Sequence, residues 1–423
     1  MLFRIRQLSL ALGGIAFVIA IGAVLAGADG LAQPAGVAAA VGTAIGLGAL
    51  PGLRAYQYTG WIIAAVIAAM VYPAAFLTVG NFDMRSPWLI LLVVQLVMFG
   101  MGTQMRLSDL RGVATHPRGV LIGLLCQFSI MPVVGFTLTK IFYFPMEIAA
   151  GIILIGSCSS GLASNVMAYL ARANLVLSVT VTAVATLAAP VMTPFLMKVF
   201  AGTLIEIAFI GMMVQIAKIV LVPIGAAMLH DYLKRASDAG WRRVFIVAGV
   251  SAAWLLFLVL GGAAWLQGAV PESLYTSLEL LGFFAGAVLA GLGYHFLTVR
   301  LPKLDSVMPY FSMAGIVYFT LVTTAAGRDH LLEVGFLLFL AAVLHNTSGY
   351  FFGYWLSRAF GLDRSSARTM ALEVGLQNGG MASGLAGAMG KLGTVGLAAA
   401  VFSPWMNISG SILANYWSKR PPK

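Results

Sequence analysis

Long apolar runs separated by short polar loops fill this chain from end to end. They fall at about 7–28, 36–53, 58–79, 88–105, 119–140, 147–171, 175–199, 205–229, 244–267, 276–297, 307–327, 332–356, 367–390 and 393–416. Most approach the ~20 residues a helix needs to cross hydrocarbon, and 36–53 is marginal. Two runs are interrupted. In 147–171, Ser157, Ser159, Ser160, Ser164 and Asn165 crowd into nine positions together with Gly161. Such side chains compete with the backbone for hydrogen bonds and weaken helix interiors. In 367–390, Gly375, Gly379, Gly380 and Gly384 surround Gln377 and Asn378, and each glycine costs roughly 1 kcal/mol against alanine in a helix. Backbone opened at membrane depth must be covered by protein or line a water-filled cavity. The pattern predicts two broken membrane helices whose loose ends face a polar site, as in transporters.

Composition supports this reading. Of 423 residues, 60% are hydrophobic and only 9% charged, against about 25% charged in soluble domains. The mean hydropathy is +0.95. The expectation is an all-α polytopic membrane protein with no soluble module. The net charge of +11 does not point to nucleic acid, because Lys and Arg sit in short loops. Fourteen spans place both termini on one side. Five basic residues (Arg85, Lys140, Lys198, Arg328, Lys391) fall opposite the termini and, Lys218 apart, the other nineteen, Arg54 and Lys423 among them, fall with them. The positive-inside rule then puts both termini in the cytoplasm, and the short loops suggest a bacterial inner membrane. Arg4, Arg6 and the small residues AGADGLAQ also fit a secretory signal, but the run 8–28 is longer than a usual signal core, which favours a retained helix. Cys126 and Cys158 lie inside apolar segments and form no disulfide or metal pattern.

Charge inside a span is costly, at least ~2.5–3.5 kcal/mol near the bilayer centre, so it implies a partner. Glu373, just before the second break, and Lys218, in the middle of 205–229, are the two such residues. Glu373 reads as a cation ligand or as a structurally paired acid. Lys218 reads as snorkelled or paired with carbonyls, or as a fixed cation and charge modulator facing Glu373 or a substrate carboxylate. His345 and Asn346 interrupt 332–356, where they either line a cavity or pack. His116, His230 and His330 are expected in loops and His295 near a helix end, without metal-ligand spacing. Gly42/Gly46, Gly282/Gly286 and Gly380/Gly384 are small-xxx-small pairs suited to close helix contact.

Three stretches carry a family likeness: MFGMGTQMRLSDLRGVATHPRGVLIGLLCQFSIMPVVGF (98–136), GLASNVMAYLARANLVLSVTVTAVATLAAPVMTP (161–194) and ALEVGLQNGGMASGLA (371–386). In this order they resemble the bile acid:sodium symporter family. The resemblance implies a ten-helix core of two inverted five-helix repeats, arranged as panel and core domains, with 147–171 and 367–390 as crossing discontinuous helices. It covers 58–231, the first repeat and the first helix of the second, and 301–417, the rest of the second. Residues 1–57 and 241–297 then read as an extra N-terminal helix pair and an inserted pair. It implies one sodium site of Ser164, Asn165, Ser178, Thr182 and Glu373. A second would take Gln127, Glu373 and Gln377 with the main-chain carbonyls of Val374 and Leu376. A substrate cavity would involve Leu162, Ala163, Ser164, Asn165, Asn378 and Gly379. The family's Pro-Gly-Gly-Thr-like run is here Ser159, Ser160, Gly161 and Leu162. Leu162 replaces a hydroxyl, so the head-group specificity of better-known members does not transfer.

The residues support that chemistry independently. Sodium is a hard cation and prefers oxygen ligands. Ser178 and Thr182 are spaced i,i+4 on one helix face, as are Glu373 and Gln377; the plain alternative for the hydroxyls is bonding to their own preceding turn. Half-helices starting near Asn165 and Asn378 aim positive dipole ends at the cavity, which suits an anion. Two sodium ions and Glu373 leave a single positive charge, which a monocarboxylate would neutralise. The expectation is a secondary active transporter for sodium-coupled symport of an organic anion by alternating access, with sodium the coupling ion and no other cofactor. Pantoate, 2-keto acids and a sterol-like or bile-acid-like anion stay open as substrates. The alternatives are a sodium/proton exchanger, which usually wants an acidic pair, and a non-transporting membrane ligand sensor. A membrane hydrolase lacks a His or Asp near the serines of 157–164, so no enzyme is expected. Neither oligomeric state nor the role of the extra pairs follows from sequence.

Overall fold

The computed structural model describes residues 2–50, 52–53 and 56–420; Arg54 and Lys423 of the orientation argument lie outside them. The apolar runs become α1 (Leu2–Leu25), α2 (Asp29–Gly46), α3 (Gln57–Val71), α4 (Pro87–Gly102) and α5 (Pro117–Ile141). A broken helix follows as α6a (Met146–Ser157) and α6b (Leu162–Leu170), then α7 (Leu175–Ala201). Next come α8 (Phe209–Leu233), α9 (Asp238–Ala269), α10 (Glu272–Arg300), α11 (Leu304–Ala326) and α12 (Arg328–Ala359). The second broken helix is α13a (Arg364–Gly375) with α13b (Gly379–Ala388), and α14 (Val395–Ser418) ends the bundle. Among the described residues ten helices are long and apolar enough to cross a membrane, and α4 passes only with its bent extension Leu107–Thr115. The three other predicted spans are the 15-residue α3 and the two broken ones.

Three of the helices that carry the site start on side-chain caps, whereas α6b follows the uncapped Gly161. Asn174 accepts from the amide of Leu177 before α7, Asp363 from Ser366 before α13a, and Asn378 from Met381 before α13b. Each side-chain oxygen satisfies an amide that the first helical turn leaves free.

The helices form two bodies. α3, α4, α8 and α11 pack into one layer, and α5, α6, α7, α12, α13 and α14 into a bundle facing it. α1 and α2 lie against one another and α2 against α3; Gly13 and Gly42 meet backbone to backbone there, where a side chain would clash. α10 packs against α8, and α9 against α10. Between α9 and α10 a Cβ on Gly282 would meet Leu258, but one on Gly286 would meet nothing within 4 Å, so only Gly282 serves the expected contact. Gly380 and Gly384 both face α4, at Val97 and Val94.

Both breaks are enclosed, although the far end of α6b, at Tyr169 and Leu170, is exposed. Every residue of α6a from Ile148 to Ser157 is buried, as is every residue of α13 from Ala367 to Gly387. Enclosure is what permits the breaks, because lipid offers nothing to freed backbone groups. The two breaks satisfy each other. Ser160 and Gln377 form an antiparallel bridge, with Gly161 N donating to Leu376 O and Asn378 N to Ser159 O, each at 2.9 Å. Side chains reach the other freed carbonyls: Thr193 that of Ser157 (2.8 Å), Gln127 that of Cys158 (2.9 Å), Gln377 that of Val374 (2.6 Å) and Asn346 that of Gly375 (2.7 Å).

Candidate functional site

Glu373 ends up beside this crossing, fully buried. Its Oε1 accepts from Ser178 Oγ at 2.5 Å; its Oε2 accepts from Ser160 Oγ at 2.7 Å and Thr182 Oγ1 at 2.8 Å. Asn165 Oδ1 lies 2.8 Å from Ser178 Oγ and 3.2 Å from Thr182 Oγ1, and Ser164 Oγ lies 3.4 Å from Thr182 Oγ1. Helix periodicity puts the hydroxyls there. Ser178 and Thr182 are one turn apart on α7, facing α13a and α6b. Their neighbours Thr180 and Thr186 bond back to the carbonyls of Val176 and Thr182, whereas neither Ser178 nor Thr182 bonds its own helix. Back-bonding, the plain alternative for this pair, is therefore not what these two hydroxyls do.

All five residues of the first expected ion cluster are thus brought together, with one more. The addition is Ser160, which the family likeness does not assign to an ion; its place in the break is the available sequence signal. Among the described residues no Lys, Arg or His forms an ion pair with Glu373. A buried carboxyl with hydroxyl neighbours but no cationic side chain is an unneutralised charge once ionised, and a bound cation is what would neutralise it.

The second expected cluster forms differently. Gln127 Nε2 donates to Gln377 Oε1 at 2.8 Å and to the Cys158 carbonyl, and Gln377 donates to the Val374 carbonyl. Gln127 Oε1 is buried without a partner, a free oxygen in a group otherwise built of amides and carbonyls. The Leu376 carbonyl is occupied by the Gly161 amide. Glu373 does not join this cluster, because its carboxylate is turned to α7 and to Ser160.

A cavity of about 290 Å³ lies where the bundle meets the layer. Leu162, Ala163, Asn378 and Gly379 line it, as expected; Ser164 and Asn165 do not, because the same helix α6b turns them to the ion cluster on its other face. Tyr58, Gln104, Ser312 and Asn407 line it too, supplied by three helices and the turn after α4, segments that local pattern does not connect. The cavity sits over the first residues of α6b and α13b, whose amides have no intrahelical acceptor. Asn378 Nδ2, beside them, is buried without a partner. No Lys or Arg lines the cavity among the described residues.

Lys218 is elsewhere. It sits in a π-helical turn of α8, Ala217–Leu221, and pairs at 2.7 Å with Glu279 of α10, above the Phe283 ring. Glu279 stands near the start of α10, so the partner of the buried lysine comes from a helix that local pattern does not connect to it. His230 lies in the last turn of α8, 3.3 Å from Asp305, and His330 in the first turn of α12, so both are helical and not in loops. His345 packs on Phe402 and contacts the Met131 carbonyl, and Asn346 holds the Gly375 carbonyl; neither lines the cavity.

Comparison with known proteins places this geometry. The model of the sodium bile acid symporter family matches residues 90–268. The sodium-dependent transporter YocS of Bacillus subtilis is 30% identical over 364 residues, 86% of this chain and 91% of that protein. The chain belongs to the sodium bile acid symporter family. The sodium/metabolite cotransporter BASS1 of rice, chloroplastic, is 29% identical over 86% of this chain and 72% of its own length. The ileal sodium/bile acid cotransporter of rabbit is 28% identical over 68% and 65%. This family member is therefore an integral membrane protein and a sodium-dependent transporter, not an enzyme. Sodium is the coupling ion of its family.

Proposed function

We propose that the protein is a secondary active symporter that carries a small organic carboxylate with two sodium ions. The observation that supports this most is Glu373, held by a hydroxyl from the break of α6 and two from α7 with no cationic side chain beside it. One ion is assigned to Ser164, Asn165, Ser178, Thr182 and Glu373. The other is assigned to Gln127 and Gln377 with the carbonyls of Val374 and Leu376. The anion is assigned to the α6b and α13b starts and the Asn378 amide, which suit negative charge without a basic residue. Two sodium ions and Glu373 leave one positive charge for a monocarboxylate to neutralise. Cavity size favours the smaller of the substrate classes: about 290 Å³ is at the bottom of the ~300–1,000 Å³ range for drug-sized ligands.

In this reading α3–α7 and α8 with α11–α14 are two inverted five-helix repeats, each broken at its fourth helix. Residues 1–57 and 241–297 are additions to them. Rocking of the bundle against the four-helix layer would expose the cavity to each side in turn. Both termini lie in the cytoplasm, from the distribution of Lys and Arg, and the short loops suit a bacterial inner membrane. The test is uptake of labelled small monocarboxylates into proteoliposomes under an inward sodium gradient. Uptake driven by sodium and lost on Glu373→Gln is the expected result; uptake indifferent to sodium would reject the proposal.

A further inference from the structure

Ser160 belongs to both clusters at once. Its side chain is fully buried, donates to Glu373 Oε2 at 2.7 Å and lies 3.4 Å from Thr182 Oγ1. Its backbone is the bridge partner of Gln377, whose side chain accepts from Gln127 and donates to the Val374 carbonyl. The bridge is tied on both flanks, at Gly161–Leu376 and Ser159–Asn378. Among the described residues no other puts its side chain on the carboxylate and its main chain against Gln377.

We infer that Ser160 is a fourth hydroxyl ligand of the cation at Glu373, and that its bridge to Gln377 couples the two clusters so that sodium ions bind cooperatively. This rests on the sodium reading above and extends it. A hydroxyl has one proton and two lone pairs. In the structure the proton is directed at Glu373; with an ion in place the lone pairs face the ion and the proton rotates away. Drawing Ser160 Oγ to an ion pulls on a main chain that is hydrogen-bonded into α13. That strain reaches Gln377 through the two flanking hydrogen bonds, Gly161 to Leu376 and Asn378 to Ser159, and so changes the position of the second cluster's oxygen before its own ion arrives.

The test is equilibrium binding of radioactive sodium to the purified full chain, as parent, Ser160→Ala, Ser160→Cys and Ser160→Thr. Cysteine keeps the shape of serine but offers a soft sulfur, a poor ligand for a hard cation. The expected result for Ala and for Cys is a half-saturating sodium concentration raised about tenfold, the loss of roughly one charge-assisted contact, with a Hill coefficient falling towards one. Thr, which keeps the hydroxyl, is expected within about twofold of the parent, well short of that tenfold step. A Cys variant with the parent's midpoint makes Ser160 a packing residue and overturns the ligand role. A shifted midpoint with the parent's slope overturns the coupling. Absence of saturable sodium binding in the parent overturns the sodium reading itself, an outcome visible without any variant.

Discussion

Gly161 donates its amide to the carbonyl of Leu376 at 2.9 Å, and so ties the break of α6 to the break of α13. The approach depends on the missing side chain. A Cβ on Gly161 would stand 3.0 Å from the Gln377 carbonyl oxygen, backbone that cannot swing aside. Gly161→Ala is expected to cost about 1–3 kcal/mol, as overpacking does, and to weaken sodium binding because both clusters hang on this crossing. Thermal unfolding with and without sodium measures both; an unchanged melting point in both conditions would count against the argument.

Glu373→Gln keeps the shape of the side chain and removes its charge. Sodium affinity is expected to fall by at least about 100-fold, which corresponds to roughly 3 kcal/mol, the scale of an uncompensated buried charge. Stability without sodium should rise or hold, since the neutral amide no longer needs a cation. Sodium titration followed by thermal shift separates the two effects.

Asn378→Asp preserves the cap on α13b, because a carboxylate oxygen can still accept from Met381, but places a negative charge in the cavity. Anion binding should weaken at least about tenfold, while sodium binding stays close to that of the parent. Loss of both together would mean that Asn378 serves the crossing and not the anion.

Lys218→Met leaves Glu279 without its partner and is expected to lower stability by about 3–5 kcal/mol if the pair is shielded from water, and less to the extent that Glu279 meets solvent. Lys218→Met with Glu279→Leu should recover most of that loss. Because the lysine faces α10, the number of sodium ions moved per substrate should not change in the double variant; a changed stoichiometry would return Lys218 to the transport site.

Asn346→Ala removes the donor to the Gly375 carbonyl and leaves a buried acceptor unpaired, at a cost of about 1–3 kcal/mol. Hydrogen exchange at the end of α13a should quicken, which distinguishes a local opening of the break from uniform destabilisation.

Much of the fold was legible because hydrophobicity and span length are local quantities. The fourteen apolar runs became helices or broken helices, most near their expected bounds, though α2 runs Asp29–Gly46 against 36–53 and α3 stops at Val71 against 79; the breaks, 158–161 and 376–378, fall inside the polar interruptions. The i,i+4 pair Ser178 and Thr182 was legible for the same reason. What was not legible depends on distant segments meeting. Glu279 could not be matched to Lys218 before α10 was known to flank α8. The cavity residues Tyr58, Ser312 and Asn407 come from three helices and Gln104 from the turn after α4, with no shared pattern.

Residue order alone determined that this chain lives in a membrane, that two of its helices must open, and that a lone acid sits beside one opening, because partitioning and helix propensity act over a few turns. Only the folded arrangement decided that the openings pair with each other and that Glu373 turns to Ser160, Ser178 and Thr182 and away from Gln127 and Gln377. The reason is directional: a hydrogen bond needs its partners within about 3 Å and aligned, and that depends on how remote helices cross.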